Sequence, residues 1–162
     1  LWRDMEGKMN SLKQSTLVIG YGNSLRRDDG IGLKVATAVA ELDRIEVTTQ
    51  TVHQLTPELA ATLSEFDRVI FVDAAVNCEQ VQLERLQPEA IQGRQMGHFC
   101  DARSLLVLSQ LLYHHTPEAF LITIPVADLD FGEEFSSLAE KGAAEALRII
   151  EELLTEAENS LR

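Results

Sequence analysis

The chain has 162 residues, of which 45% are hydrophobic, and carries a formal net charge of −12 at pH 7. This length and apolar content suffice for one globular domain with its own core. The negative charge argues against nucleic acid or an anionic membrane as the main partner, because both would repel it. No run of about 20 apolar residues is present to span a bilayer.

The two cysteines, Cys78 and Cys100, stand far apart and form neither a zinc-binding nor a redox motif. A disulfide framework is not expected, and reduced thiols fit a cytoplasmic protein. Neither cysteine has a sequence neighbour that would activate it as a nucleophile. Residues 1–8 do not resemble the rest of the chain, so we expect an upstream or engineered remnant there. The remaining residues, 9–162, are expected to form a single α/β domain that acts as a monomer.

In the first half of the chain, short strands alternate with helices. Residues 16–21 predict a buried strand that ends in a glycine-rich turn, and apolar spacing predicts a helix over residues 31–42. Residues 45–52 alternate and are rich in β-branched side chains, as in a strand. A second helix is expected to follow, with Thr56 as its N-cap and Pro57 at its first position.

The second half continues this alternation. The apolar run at residues 69–72 predicts a buried strand that ends on Asp73. A later helix is expected to be capped by Asp101 and to have an apolar face formed by Leu105, Leu108 and Leu112. The other expected elements are a strand at 81–86, that helix at 101–114, a strand at 119–126, and a last helix from Ser136 or Ser137 towards Leu154.

This order of elements predicts an α/β fold in three layers, α/β/α, around a twisted, mostly parallel five-stranded sheet with helices on both faces. In such sheets, ligands bind beyond the carboxyl ends of the strands. Polar residues that come at the end of an apolar strand are therefore the candidates for function.

The stretch GYGNSLRRDDGIG, residues 20–32, follows the first strand and resembles a phosphate-binding loop. However, the dinucleotide fingerprint G-x-G-x-x-G cannot be completed from Gly20 or from Gly30, and the Walker pattern is absent. Asp28 and Asp29 stand where the next helix begins, and their charge would repel a phosphate. The glycines are therefore expected to serve the geometry of the turn, which disfavours a nucleotide-binding domain.

Carboxylates are expected to meet at this edge of the sheet. Of Asp28 and Asp29, one can cap the helix while the other faces the cleft, where Asp73 arrives from another strand. Carboxylates that converge without a basic partner repel each other, and a cation relieves that repulsion. His53 or His98 could add an imidazole ligand, as in sites for Ni, Zn, Mn or Fe. The candidates for lining the same cleft are Asn23, Asp28, His53 and Gln54.

Five ordered segments make the chain, from Thr16 onwards, resemble the hydrogenase maturation endopeptidases. They are VIGYGNSLRRDDGIG, HQLTPELA, DRVIFVDAA, GHFCDARSLLVLSQLLY and IPVADLDFGEEFS. The second segment and the IP…DFGE part of the last are most similar to the subgroup that serves bidirectional, NAD-linked hydrogenases.

The resemblance implies an endopeptidase that removes the C-terminal extension of a NiFe-hydrogenase large-subunit precursor once the nickel centre is assembled. It implies metal contacts at Asp29, Asp73 and His98, with Asp29 or Asp73 as the catalytic base. Nickel is expected to arrive with the substrate, although a metal belonging to the enzyme is left open. The alternative is a metallochaperone or checkpoint protein that binds nickel-loaded precursor without cutting it.

Overall fold

The computed structural model describes residues 14–87 and 100–160, with side chains as far as residue 156. The expected remnant at residues 1–8 therefore lies outside the described residues. The elements, in chain order, are β1 (Thr16–Tyr21), a 3₁₀ turn (Arg27–Gly30), α1 (Ile31–Glu41), β2 (Val47–Val52), α2 (Leu59–Leu63), β3 (Arg68–Ala75), β4 (Gln82–Leu86), α3 (Ala102–Tyr113), β5 (Glu118–Pro125) and α4 (Ser137–Ser160).

The strands described form one five-stranded sheet in the order β2-β1-β3-β5-β4. The first four of these run parallel, and β4 lies antiparallel to β5 at one edge. The expected α/β class and the mostly parallel sheet are confirmed. Among the described residues, no helix is long and apolar enough to cross a membrane.

The two faces of the sheet bury two separate cores, because side chains alternate along each strand. On one face, Val18 and Ile70 pack with residues of α1 and α4. On the other face, Leu17 and Phe71 pack with residues of α2 and α3. All four side chains are completely buried, which contributes about 1.5–3 kcal/mol for each. The three-layer arrangement follows from this alternation.

The predicted start of α2 is wrong. Helix α2 begins at Leu59, and its capping position is Glu58, which makes no side-chain cap bond. The carbonyls of Thr56 and Pro57 accept the N–H groups of Leu59 and Ala60 at 3.1 Å. These bonds span only three residues, so the chain enters α2 through a tight turn rather than through a side-chain cap.

The predicted apolar face of α3 is also displaced. Leu105 is buried as expected, but Leu112 is 61% exposed. The buried stripe passes instead through Ala102, Leu106 and Ser109. At about 100° per residue, that stripe is centred roughly a quarter turn away from the predicted face. The predicted cap is correct, since the Asp101 carboxylate accepts the N–H of Ser104 at 2.7 Å.

Asp28 fixes the loop that follows β5 and does not cap α1, whose start has no side-chain cap bond. Its carboxylate is completely buried. It accepts the N–H groups of Ala127 (2.8 Å), Asp128 (3.0 Å) and Ser136 (2.8 Å), and also the Ser136 hydroxyl (2.6 Å). Burial acts to raise the pKa of Asp28, but these four bonds outweigh it and hold the pKa below its ordinary value. Asp28 therefore has neither of the roles predicted for it: it does not cap the helix and it does not line the cleft.

We expect Asp28→Asn to lower the free energy of unfolding by about 2–4 kcal/mol, because the amide would turn a donor towards N–H groups that need an acceptor. Urea denaturation at pH 7 measures this change. Since the native pKa of Asp28 is lowered, the difference should shrink as the pH falls through that native value. Asp130→Asn, an exposed change in the same loop, is the control and should alter stability by less than about 0.5 kcal/mol. Equal midpoints for the two variants would contradict the assignment.

Candidate active site

Glycines bring the loop after β1 close to the sheet. A Cβ atom on Gly20 would lie 2.1 Å from the carbonyl oxygen of Gly32 in α1. Gly22 has a φ of 147°, and a Cβ atom there would lie 1.9 Å from the carbonyl oxygen of Asp29. No other residue fits at either position without moving the backbone. The glycines therefore have the geometric role that the sequence predicts.

This loop holds Asp29 in place through its own backbone. The N–H of Asn23 donates to Oδ2 of Asp29 at 2.8 Å. The side-chain oxygen of Asn23 accepts the N–H of Leu25 at 2.9 Å. Asn23 thus shapes the turn and orients the carboxylate of Asp29, which is half-buried.

Asp73 arrives at the same place from β3. The strand was expected to end on Asp73, but it continues to Ala75 because residues 73–75 still pair with β5. The pKa of Asp73 is raised to about 6, chiefly by burial and to a smaller extent by the negative charge of Asp29. Contacts from the Tyr21 hydroxyl and the Ala74 N–H act in the opposite direction but do not cancel burial.

Tyr21 ends β1 and places its phenol against Asp73. Burial raises the pKa of Tyr21, and the neighbouring Asp73 carboxylate raises it further. The phenol therefore stays protonated and acts as a hydrogen-bond donor to Asp73. Its signal was available in the sequence, because Tyr21 occupies the carboxyl end of a predicted strand.

A cavity of about 670 Å³ collects these groups at the carboxyl ends of β1, β2 and β3. Four of the predicted residues line it: Asp29, His53, Gln54 and Asp73. His98, the third predicted metal contact, lies outside the described residues. The other residues that line the cavity are Tyr21, Gly22, Leu55, Thr56, Pro57, Cys100, Asp101, Ser104 and Leu108.

The sequence did not predict that residues of α3 and of the segment before it would line this cavity. Leu108 faces it, which explains why this leucine is not part of the core stripe of α3. Burial raises the pKa of the Cys100 thiol, and the charges of Asp101 and Glu58 raise it further. Cys100 therefore stays a thiol at neutral pH, as the sequence suggested when it disfavoured a cysteine nucleophile.

The pair of Asp29 and Asp73 suits a cation, because a positive ion would relieve both their repulsion and the burial of Asp73. Within residues 14–87 and 100–160, no group of three or more His, Cys, Asp or Glu side chains is arranged to hold a metal ion. Two carboxylates alone leave most of a metal's coordination positions open. The pair thus leaves room for further ligands of a bound cation.

Comparison with protein-family models finds no match, and neither does comparison with curated proteins. Solved structures do match. HybD, a [NiFe] hydrogenase maturation protease from Thermococcus kodakarensis, is 24% identical with a TM-score of 0.67, over 86% of this chain and 99% of that one. The maturation protease HycI from Thermococcus kodakarensis KOD1 is 22% identical with a TM-score of 0.70, over 93% and 99%.

The hydrogenase maturating endopeptidase HybD from E. coli is 20% identical with a TM-score of 0.71, over 88% of this chain and 93% of that one. Matches of this kind show that the chain shares the fold of these proteins along nearly its whole length.

Asp73 should reduce stability at neutral pH. Its pKa is raised from 3.8 to about 6 in the folded chain, so the folded state holds the proton more tightly. The resulting cost is absent below about pH 4, grows up to about pH 6, and is complete above that. For a partly exposed group it amounts to about 1–3 kcal/mol. We expect Asp73→Asn to raise the free energy of unfolding by that amount at pH 7.5 and by almost nothing at pH 4.

Chemical denaturation at the two pH values measures this effect. Glu65→Gln, which neutralises an exposed carboxylate, is the matched control and should show no such pH-dependent gain. A loss of stability in Asp73→Asn at pH 7.5, or an equal gain at both pH values, would contradict the raised pKa of Asp73.

Proposed function

We propose that this protein is an endopeptidase that removes the C-terminal extension of a NiFe-hydrogenase large-subunit precursor. The observation that carries the proposal is the pairing of Asp29 with the half-buried Asp73 in one cavity at the carboxyl edge of the sheet. The fold that surrounds this pair is shared with proteins described as hydrogenase maturation proteases. This shared fold favours peptide hydrolysis over other uses of such a cavity.

Asp73 is the stronger candidate for the catalytic base. Peptide hydrolysis needs a group that accepts a proton from water as it attacks the carbonyl carbon. A carboxyl group with a pKa of about 6 is ionised at neutral pH and is still a better proton acceptor than an ordinary aspartate. The Tyr21 hydroxyl orients this carboxylate, and burial keeps its proton affinity high, with a smaller contribution from the charge of Asp29.

We further propose that Asp29, Asp73 and His98 contact the nickel of the substrate. Three ligands leave coordination positions of the nickel open. Ligands of the precursor's own centre, or a water bound to it, would fill these positions. A metal that belonged to the enzyme would use the same carboxylates. Each 1.4 kcal/mol by which the protein binds nickel-loaded precursor more tightly than nickel-free precursor gives about tenfold selectivity. A difference of a few kcal/mol in binding free energy therefore suffices to restrict cleavage to the loaded form.

The precursor of a bidirectional, NAD-linked hydrogenase is the substrate that we favour. The resemblance to that subgroup rests partly on the segment HQLTPELA, and its His53, Gln54 and Leu55 line the cavity. Side chains at this rim would touch the residues beside the cut bond. We propose that the protein acts on this precursor in the cytoplasm, as a monomer.

The test is to incubate the protein with nickel-loaded precursor and to weigh the products by mass spectrometry. We expect a shortened subunit and a released peptide. Asp29→Asn should slow this cleavage by about 100-fold or more, mainly because it removes a charge that is proposed to contact the cation and, to a smaller extent, because that charge helps to keep Asp73 basic. Asp43→Asn, an exposed change after α1, is the control and should cut at the wild-type rate.

Three outcomes would change the account. A stable complex with uncut precursor would favour the non-cleaving checkpoint protein. Wild-type cleavage by Asp29→Asn would refute the role of Asp29. A parallel digestion of nickel-free precursor should give no product, and equal cleavage of both precursors would point to a metal of the enzyme's own.

A further inference from the structure

Strand β2 is an edge strand of the sheet. Among the described residues it pairs only with β1, from Thr16 opposite Val47 to Tyr21 opposite Val52. The N–H of Thr16 donates to the carbonyl of Glu46 at 3.0 Å, and the N–H of Gly22 donates to that of Val52 at 3.2 Å. These two bonds fix which backbone groups of β2 face β1.

Backbone groups alternate in direction along a parallel strand, so the remaining groups of β2 face away from the sheet. With this register, the N–H and C=O groups of Thr48, Gln50 and Val52 point towards β1. Those of Thr49 and Thr51 point outwards. Thr49 and Thr51 therefore present two donors and two acceptors, about 7 Å apart along the strand, to whatever lies beside β2.

Strand β2 itself lacks the charged and proline residues with which edge strands commonly avoid pairing with other chains. Its six residues, VTTQTV, include no charge and no proline. The opposite edge, β4, does have such protection, since it contains Glu84 and Arg85 and since Glu84 forms an ion pair with Arg103. Among the described residues, the edge of β2 is therefore the one at which a further strand meets no charged side chain of the edge strand.

The open edge leads directly into the cavity. Val52 ends β2, and the next three residues, His53, Gln54 and Leu55, line the site that holds Asp29. An extended peptide that runs beside β2 would therefore arrive at the rim of the cavity, and a turn across the end of β2 would carry it the remaining distance of about 10–14 Å to the carboxylate pair. A second copy of this chain is a poorer occupant, because each copy carries a net charge of −12.

We propose that the precursor's C-terminal segment binds as an added strand along the outer edge of β2, hydrogen-bonded to Thr49 and Thr51. The inference rests on the proposed function, since it concerns the substrate of the same cavity. Main-chain bonds of this kind hold a segment in register whatever its side chains are, while pockets beside the strand read particular residues. The edge would thus align the segment, and the cavity would select the bond to be cut.

Amide hydrogen exchange, followed residue by residue by NMR, tests this inference in the wild-type protein. The probe is a synthetic peptide that spans the cleavage site of the precursor, added to saturation. Exchange at Thr49 and Thr51 should slow by about tenfold or more, because their N–H groups gain acceptors. Exchange at Thr48 and Gln50 should change little, because β1 already occupies their N–H groups.

A pair of variants gives a second readout. Thr51→Pro removes an outward donor, whereas Thr51→Val keeps the donor and the β-branched shape. With full-length, nickel-loaded precursor, Thr51→Pro should raise KM about tenfold and leave kcat unchanged, and Thr51→Val should match the wild type. A circular dichroism spectrum like that of the wild type shows whether the proline variant is folded; if it is not, the exchange data decide.

Failure of this inference can be told apart from failure of the proposed function. Cleaved precursor with unchanged exchange at Thr49 and Thr51 would overturn the added strand and leave the protease intact. Slower exchange at Thr49 and Thr51 with the peptide, together with no cleavage of nickel-loaded precursor, would support the added strand and refute the protease. Equal slowing at all four residues, or slowing that depends on protein concentration without peptide, would overturn the inference in favour of general stabilisation or of pairing between copies.

Discussion

The burial of the Asp73 carboxylate beside a second carboxylate, Asp29, is the constraint on which the site depends. Burial and the charge of Asp29 together raise the pKa of Asp73 to about 6. The fold maintains this unfavourable arrangement because the surrounding groups leave neither side chain free to turn away. Asn23 binds Asp29 through its backbone, and Tyr21 holds Asp73 from β1. The cost of holding this charge partly buried is relieved by a proton or by a cation, which are the two agents that the proposed reaction uses.

Two adjacent aspartates divide structure and chemistry between them. The 3₁₀ turn sends Asp28 inwards, where four donors from the loop after β5 surround it, and it sends Asp29 towards the cavity. One carboxylate has a lowered pKa, whereas the other raises the pKa of its neighbour. By fixing the loop after β5 on the loop after β1, Asp28 supports the backbone that presents Asp29. The different roles of Asp28 and Asp29 follow from the groups that surround each of them rather than from their residue type.

The sequence was informative where local pattern decides structure. Apolar runs located β1 and β3, and the rule that ligands bind at the carboxyl ends of parallel strands brought Asp29, Asp73, His53 and Gln54 to one cavity. The sequence was not informative where contacts between distant parts of the chain determine the structure. The hydrogen-bond partners of Asp28 lie about a hundred residues away in the sequence, and no local sequence pattern predicts them. The buried face of α3 depends on which side meets the sheet, so Leu112 was misplaced and Leu108 was not recognised as a cavity residue. His98 stays a prediction.

The most direct measurement is an NMR titration of the Asp73 carboxyl carbon in the wild-type protein and in Asp29→Asn. The account requires a pKa of about 6 for Asp73 in the wild type. In the variant it requires a lower value, still above 3.8 because burial remains the larger cause. A wild-type value near 3.8, or a pKa that does not respond to the loss of the Asp29 charge, would contradict the claim that these two carboxylates act as one site.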